Sequence, residues 1–239
     1  MDASQRKNIK SDGSAQAAQG GGGGVILPKP DRPAQGAVAL YAKDAAYPPL
    51  QPLHPPAGAP NVAIILIDDM GFGAPSAFGG PVHMPTLERV AADGLKYTRF
   101  HTCALCSPTR QALLTGRNHH SVEMGAITEQ ASSVPGYTSV RPNSAATIAA
   151  VLRLNGYNTG AFGKMHQTPV WEVSTSGPFD RWPTGEGFEK FYGFVGAETN
   201  QWAPTLVDGT TPIEPPDDPQ YHLTPDLVDH TIAWVQAQQ

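Results

Sequence analysis

The pentapeptide Cys106-Ser107-Pro108-Thr109-Arg110 lies where an apolar, β-type run gives way to a helical one. The run Leu95–Phe100 precedes it, and the helical run Pro108–Thr115 ends at Gly116. Serine is a favoured N-cap residue, proline suits the first helical turn, and glycine suits the position after the last turn. The pattern therefore predicts a strand followed by a helix that Ser107 caps.

The two cysteines of the chain, Cys103 and Cys106, form a C-x-x-C pair. Cys106 is expected just before the helix N-terminus, where backbone N–H groups and the helix dipole favour an anion. Two cysteines make no disulfide framework. The simplest interpretations of the pair are a buried Cys103 or an occasional disulfide. A thioredoxin-like motif should open a helix directly after its first cysteine. A zinc site would need more ligands, for which His101 and the His119-His120 pair are the candidates.

Size and charge limit the classes of function. A chain of 239 residues fits one domain, or one domain with a tail. The net charge of −5 is mild, and no arginine-rich run indicates a nucleic-acid partner. No apolar run approaches the roughly 20 residues that span a membrane. Residues 1–24 lack the apolar segment of a signal peptide, so the sequence predicts a cytoplasmic protein, or a periplasmic one if the natural N-terminus differs.

The composition changes near residue 60. Residues 1–60 are rich in glycine and proline and are predicted to form a flexible N-terminal arm, disordered over residues 1–24. The folded domain is expected to occupy residues 61–239. The later part of the arm could lie over this domain through its apolar side chains, which are Val38, Leu40, Tyr41, Tyr47, Leu50 and Leu53.

The run Val62–Ile67 is continuously apolar and rich in β-branched residues, as in a strand buried on both faces of a parallel sheet. It ends at Asp68 and Asp69, at the carboxyl end where α/β proteins carry their sites. A solvated turn is the other interpretation, because glycines follow. Two adjacent carboxylates repel unless a cation or a proton lies between them, which makes a divalent metal plausible.

Strands and helices alternate along the rest of the domain, which predicts a three-layer α/β fold. One helix is expected at Thr86–Asp93, capped by Thr86 and stopped by Gly94. The other expected elements are a helix capped by Asn143 or Ser144 and closed by Gly156, a strand at Asn158–Gly163, and a last helix from Thr224-Pro225. The stretch between residues 167 and 221 looks loop-rich, and its Trp171, Trp182 and Trp202 could line a pocket rim or pack on the sheet.

The spacing C-x-P-x-R at residues 106–110 resembles the maturation signature of the sulfatase family, and LLTGR at 113–117 continues it. The resemblance covers most of residues 61–239. It includes IDDMGFG at 67–73, MPTL at 84–87, GKMH at 163–166 and GPFDRWP at 177–183. It implies an alkaline-phosphatase-like α/β/α sandwich with a mostly parallel sheet, of which this chain looks like the N-terminal half, truncated after a helix.

In the family the signature cysteine is oxidised to formylglycine by a formylglycine-generating enzyme. The resemblance therefore implies this modification at Cys106, and a disulfide to Cys103 would block it. It also implies that Asp68, Asp69 and residue 106 bind a divalent cation, Ca²⁺ being the first candidate. The family's second pair of metal ligands, its second lysine and its leaving-group histidine belong beyond Gln239.

The resemblance assigns catalytic roles to three further residues. Arg110 would hold the hydrated formylglycine, Lys164 would contact a sulfate oxygen, and His166 would help to remove the proton of the second hydroxyl. The implied activity is hydrolysis of a small-molecule sulfate ester of aryl type. A phosphonate or phosphate monoester hydrolase using the same nucleophile, and an inactive truncated fragment, remain alternatives; the 239-residue chain alone is expected to be a poor enzyme.

Overall fold

The computed structural model describes residues 39–45 and 53–238. Most of the predicted N-terminal arm therefore lies outside the described residues, including Val38, Tyr47 and Leu50. Of the arm residues that are described, Leu40, Tyr41 and Leu53 are exposed, so they do not pack on the domain as expected. The backbone of His54 does approach the domain, because a Cβ added to Gly156 would lie 2.6 Å from its carbonyl carbon.

Four α-helices and four strands make up the regular structure of the described residues. The helices are α1 (Pro85–Asp93), α2 (Cys106–Thr115), α3 (Ile148–Leu154) and α4 (Leu223–Gln236). The strands are β1 (Gly160–Lys164), β2 (Lys190–Phe194), β3 (Leu206–Asp208) and β4 (Thr211–Ile213). Five short 3₁₀ turns join them, at Ala42–Asp44, Ser76–Phe78, His119–Val122, Thr128–Gln130 and Val170–Glu172. None of the described helices is long and apolar enough to cross a bilayer.

The strands form one mixed sheet in the order β1-β2-β3-β4. Strands β1 and β2 are parallel, from Gly160 opposite Lys190 to Lys164 opposite Phe194. The β2–β3 and β3–β4 pairs are antiparallel. The parallel pair comes very close at Gly193, where a Cβ would lie 2.2 Å from the carbonyl oxygen of Gly163. The predicted α/β class is confirmed. The described sheet is mixed, with its parallel pair at one edge, where a mostly parallel sheet was expected.

Two apolar clusters hold this sheet, one on each face, since successive side chains of a strand point to opposite faces. Phe191 belongs to the first cluster, with Trp182, Val195 and Val207. Tyr192 belongs to the second, with Leu206 and Leu223, and helix α4 adds Leu227. Trp182 is thus a core residue, whereas Trp171 and Trp202 are exposed, so the three tryptophans do not form one rim.

Two predicted strands are absent from the described sheet. The runs Val62–Ile67 and Leu95–Phe100 have no strand pairing, and their side chains are largely exposed, with Ile65 at 87% and Leu95 at 82%. A central strand needs hydrogen-bonding neighbours on both edges. No described residue provides such a ladder to either run, so both predictions are wrong for this structure.

Helix α2 begins two residues earlier than predicted. Its N-cap is Leu105, which makes no side-chain cap, and Cys106 is the first helical residue instead of the residue before the helix. Thr109 secures this earlier start, because its N–H and its hydroxyl both donate to the Leu105 carbonyl, at 3.2 Å and 2.8 Å. Ser107 is therefore not the cap. The predicted end is correct, since Gly116 adopts a left-handed φ of 64°.

The caps of the other helices also differ from prediction. In α1 the first residue is Pro85, preceded by Met84, so Thr86 lies inside the helix. In α3 the cap is Thr147, whose hydroxyl accepts from the Ala150 N–H at 3.1 Å, in place of Asn143 or Ser144. The predicted last helix and the predicted strand before Lys164 are both present, as α4 and β1. Strands β2, β3 and β4 lie in the stretch that looked loop-rich.

A buried ion pair joins the chain before α3 to the chain before β2. Both the Nη2 and the Nε of Arg141 donate to Oε1 of Glu186, at 3.0 Å and 3.2 Å. Glu186 is almost fully buried, and this burial raises the pKa of its carboxyl group despite the opposing effect of Arg141. The Arg141 guanidinium therefore provides the main electrostatic compensation for the buried carboxylate of Glu186.

Replacing Arg141 with alanine is expected to lower the free energy of unfolding by about 3–5 kcal/mol, the usual cost of leaving one buried charge unpaired. Urea unfolding at neutral pH measures the loss. The loss should shrink at acidic pH, because a protonated Glu186 no longer needs the guanidinium. Arg153→Ala is the matched control, since Arg153 is exposed. Equal stability of the two variants would contradict a compensating role for Arg141.

Candidate active site

The predicted catalytic residues come together where α2 begins and β1 ends. Cys106 is the first residue of α2, and Arg110 lies one helical turn later. Lys164 is the last residue of β1, and His166 follows two residues on. The backbone beyond β1 stays attached to the next strand, because the N–H groups of Met165 and His166 donate to the carbonyls of Phe194 and Val195, each at 3.1 Å.

The Sγ atom of Cys106 lies 3.1 Å from Nδ1 of His166. The histidine is 1% exposed, and its backbone adopts a φ of 51°, which is uncommon for a residue other than glycine. Cys106 is half-buried, and both it and Cys103 are free thiols. The disulfide interpretation is therefore not realised in this structure, and α2 begins at the second cysteine, which differs from a thioredoxin-like motif.

A residue that the sequence analysis missed completes this contact. Oε2 of Glu129 lies 2.8 Å from Nε2 of His166, so both ring nitrogens of the histidine have a polar neighbour. Glu129 lies in the 3₁₀ turn Thr128–Gln130, some distance along the chain from every recognised motif. Nothing in its local sequence distinguishes it from a solvated carboxylate, and only the three-dimensional structure reveals the contact.

The electrostatic environment keeps the imidazole neutral and the carboxylate ionised near neutral pH. Burial lowers the pKa of His166, the charges of Lys164 and Arg110 lower it further, and the opposing effect of Glu129 does not outweigh them. Burial alone would raise the pKa of Glu129, but hydrogen bonds, first of all the one from His166, hold it below its usual value.

Beside this pair, Asp68 accepts from two cationic side chains. Nζ of Lys164 lies 2.7 Å from Oδ2 of Asp68, and Nη2 of Arg110 lies 3.1 Å from Oδ1. Arg110 also donates from Nη1 to the carbonyl of Lys164 at 2.6 Å, which ties α2 to the end of β1. Burial works to raise the pKa of Asp68, but these hydrogen bonds and charges outweigh it and lower the pKa.

The cluster of Asp68, Lys164 and Arg110 has a net positive charge. Two cations face one carboxylate, so one positive charge is not compensated by Asp68. Arg110 is buried, and its Nε has no hydrogen-bond partner among the described residues. An unpaired buried donor costs free energy. The arrangement therefore concentrates positive charge close to His166 and Cys106.

The predicted metal ligands do not come together in the structure as the predicted catalytic residues do. Asp69 is exposed, has a φ of 55°, and makes no hydrogen bond or ion pair to another described residue. Among residues 39–45 and 53–238, no group of three or more His, Cys, Asp or Glu side chains is arranged to hold a metal ion. The described residues thus supply two neighbouring carboxylates and do not complete a cation site. The zinc candidate His120 instead contacts the Tyr137 hydroxyl at 3.0 Å.

The structure is an α/β protein in which a helix start carries Cys106, a strand end carries Lys164 and His166, and Arg110 lies one turn into the helix. The family model described as Sulfatase matches residues 60–239. The chain belongs to the sulfatase family.

Curated relatives agree with this assignment. The chain is 32% identical over 180 residues to an uncharacterized sulfatase of Schizosaccharomyces pombe, covering 72% of this chain and 31% of the relative. It is 31% identical over 153 residues to an arylsulfatase of Klebsiella aerogenes, covering 63% and 31%. Human arylsulfatase A is 38% identical over 136 residues, covering 56% and 25%. The chain thus spans between a quarter and a third of the length of these relatives.

Solved structures show the same fold. The PsFucS1 sulfatase from Pseudoalteromonas matches with a TM-score of 0.52 at 18% identity, over 72% of this chain and 39% of that one. The structure titled Ps i-CgsB matches with a TM-score of 0.53 at 22% identity, over 72% and 40%. The likeness shows the alkaline-phosphatase-like fold and nothing finer, since the identities are low.

Proposed function

We propose that this chain carries the nucleophile and the anion-binding residues of a sulfuric ester hydrolase of arylsulfatase type. The observation that carries the proposal is the 3.1 Å contact between Cys106 Sγ, at the first residue of a helix, and Nδ1 of a buried histidine. The cations of Arg110 and Lys164 support it, since they occupy the neighbouring space. The arylsulfatase names of several relatives point to the same reaction.

We further propose that Cys106 is matured to formylglycine by a formylglycine-generating enzyme. The thiol is free, half-buried and placed at a helix N-terminus, which suits a group that becomes anionic. Hydrated formylglycine would supply two hydroxyls on one carbon, so that one can attack sulfur and the other can later drive the release of sulfate.

His166 would act as the proton acceptor for residue 106. Its Nδ1 lies within hydrogen-bond reach of the heteroatom on Cβ, and its lowered pKa keeps the ring neutral at the pH of the reaction. A neutral imidazole has one free lone pair, and a base needs that lone pair. Burial excludes water from the ring, so the proton has a single acceptor close by.

Arg110 and Lys164 would bind the sulfate oxygens and the oxygen atoms of residue 106. The guanidinium of Arg110 and the ammonium of Lys164 would provide positive charge and donors where negative charge grows during transfer of the sulfuryl group. The ion pairs with Asp68 hold both cations in position before the substrate arrives. Pre-set donors need no reorganisation, which is the source of their catalytic value.

A divalent cation, with Ca²⁺ as the first candidate, is part of this proposal through Asp68 and Asp69. Carboxylate oxygens are suitable ligands, but Ca²⁺ takes six to eight oxygens, and the described residues do not complete such a shell. We therefore assign no step of the reaction to the cation. The remaining ligands would have to come from elsewhere in a longer protein.

The proposal is tested on the protein produced together with a formylglycine-generating enzyme. Mass spectrometry of the tryptic peptide of residues 100–110 should locate formylglycine at Cys106 and an unmodified Cys103. The preparation should hydrolyse an aryl sulfate faster than the matching aryl phosphonate ester. Faster cleavage of the phosphonate would favour the alternative hydrolase. A fully converted peptide without turnover of either ester would contradict the proposed activity for this chain and favour the inactive fragment.

A further inference from the structure

Glu129 makes a contact that the proposed reaction does not use directly. Its carboxylate lies 2.8 Å from the ring nitrogen of His166 that points away from residue 106. We propose that Glu129 is a positioning residue, which keeps the hydrogen of His166 on Nε2 and its lone pair on Nδ1, directed at residue 106. The catalytic consequence rests on the proposed function, whereas the positioning itself does not.

The hydrogen-bonding capacity of the two groups decides the tautomer. A neutral imidazole carries one N–H donor and one acceptor nitrogen, and an ionised carboxylate only accepts. With an ionised Glu129 at Nε2, that nitrogen must be the donor. Nδ1 is then left as the acceptor, 3.1 Å from Sγ of Cys106. The lowered pKa of Glu129, in which hydrogen bonds outweigh burial, agrees with this assignment.

The surroundings hold the ring but do not select its tautomer. The His166 side chain is buried, and its N–H donates to the carbonyl of Val195. The cations of Lys164 and Arg110 act on the ring as charges, and the structure gives them no hydrogen bond to either ring nitrogen. Glu129 is thus the described side chain that distinguishes Nε2 from Nδ1.

Without the carboxylate, the opposite tautomer becomes accessible. Nδ1–H would then donate to residue 106, and the histidine could not accept the proton that the reaction must remove. The Glu129 side chain is 40% exposed, so its removal should leave the core unchanged and should open a space that a small carboxylate can enter from solvent. This combination allows a rescue experiment.

The test uses the full chain labelled with ¹⁵N-histidine, as wild type, Glu129→Ala and Glu198→Ala. The ¹⁵N spectrum, with His166 assigned through a His166→Asn variant, should show a protonated Nε2 and a bare Nδ1 in the wild type. Glu129→Ala should shift the population toward protonated Nδ1, and formate should restore the original spectrum. Glu198 is an exposed carboxylate, so its variant should match the wild type with or without formate.

Turnover provides the second measurement. In the matured protein, Glu129→Ala should lower kcat by about 10–100-fold, the usual effect of losing a partner that orients a functional histidine. KM should change little, and formate should recover part of the loss.

The turnover measurement tests the proposed function, and the spectrum tests the positioning role of Glu129 independently. A wild type that hydrolyses no sulfate ester contradicts the proposed function, yet its spectrum still decides the positioning role. A protonated Nδ1 in the wild type, or a spectrum that Glu129→Ala leaves unchanged, overturns the positioning role even in an active sulfatase.

Discussion

Replacing Cys106 with alanine in the matured protein is expected to reduce sulfate-ester hydrolysis by on the order of 10⁶-fold, the scale for loss of a catalytic nucleophile. Alanine has no heteroatom on Cβ, so nothing at residue 106 can attack sulfur or exchange a proton with His166. Cys106→Ser should leave at most a trace, because one hydroxyl cannot supply both halves of the reaction. Release of a chromogenic phenol from its sulfate ester, over a range of enzyme concentrations, measures both variants.

Cys103→Ala is the matched control for this prediction. Cys103 is the other free thiol and lies three residues before Cys106, but the hydrogen bond to His166 comes from Cys106 and not from Cys103. This variant should retain turnover and should still be converted at Cys106. Substantial turnover by Cys106→Ala, or loss of maturation in Cys103→Ala, would contradict the assignment of the nucleophile to Cys106.

The candidate site could be predicted in part because its members belong to short motifs. Arg110 is one turn after Cys106, so helical geometry places both on one face, and GKMH places Lys164 and His166 at a strand end. The structure brings these four together, while their catalytic roles stay predictions. Glu129 could not be found in this way, because its contact with His166 joins segments 37 residues apart and depends on tertiary folding.

Asp68 shows a second limit of sequence reasoning. Two adjacent carboxylates indicated a cation, and the structure does surround Asp68 with positive charge, but the cations are Lys164 and Arg110. A sequence pattern indicates that a charge needs compensation and does not identify the compensating group. Asp69, which the same pattern included, faces solvent without such a partner among the described residues.

The strand predictions fail for a related reason. An apolar, β-branched run indicates that a segment would be stable when buried, but a strand also requires neighbours in register. Val62–Ile67 carries the pattern and lacks the neighbours within the described residues. Conversely, β3 and β4 have only three residues each, too few for a periodic signal. They are strands because they pair with each other and because β3 also pairs with β2.

Replacing Lys164 with alanine is the other change with a large expected effect, a fall in kcat of roughly 10²–10³-fold, as for loss of one donor aimed at developing charge. The ammonium lies 2.7 Å from Oδ2 of Asp68 in a half-buried position, where electrostatic interactions are stronger than in water. Its removal takes away one of the two cations that we propose to contact the sulfuryl group. Steady-state kinetics with an aryl sulfate should show the loss in kcat and a smaller change in KM.

The change also breaks an ion pair, so the control must break a similar pair away from the site. Lys190 serves this purpose, because its Nζ lies 2.5 Å from Oδ1 of Asp208 and it stands opposite Gly160, at the other end of the parallel strand pair from Lys164. Lys190→Ala should keep turnover near that of the wild type, although it loses a comparable contact. Equal kinetics in the two variants would mean that Lys164 contributes an ordinary surface ion pair, and the oxyanion role would then have to rest on Arg110 alone.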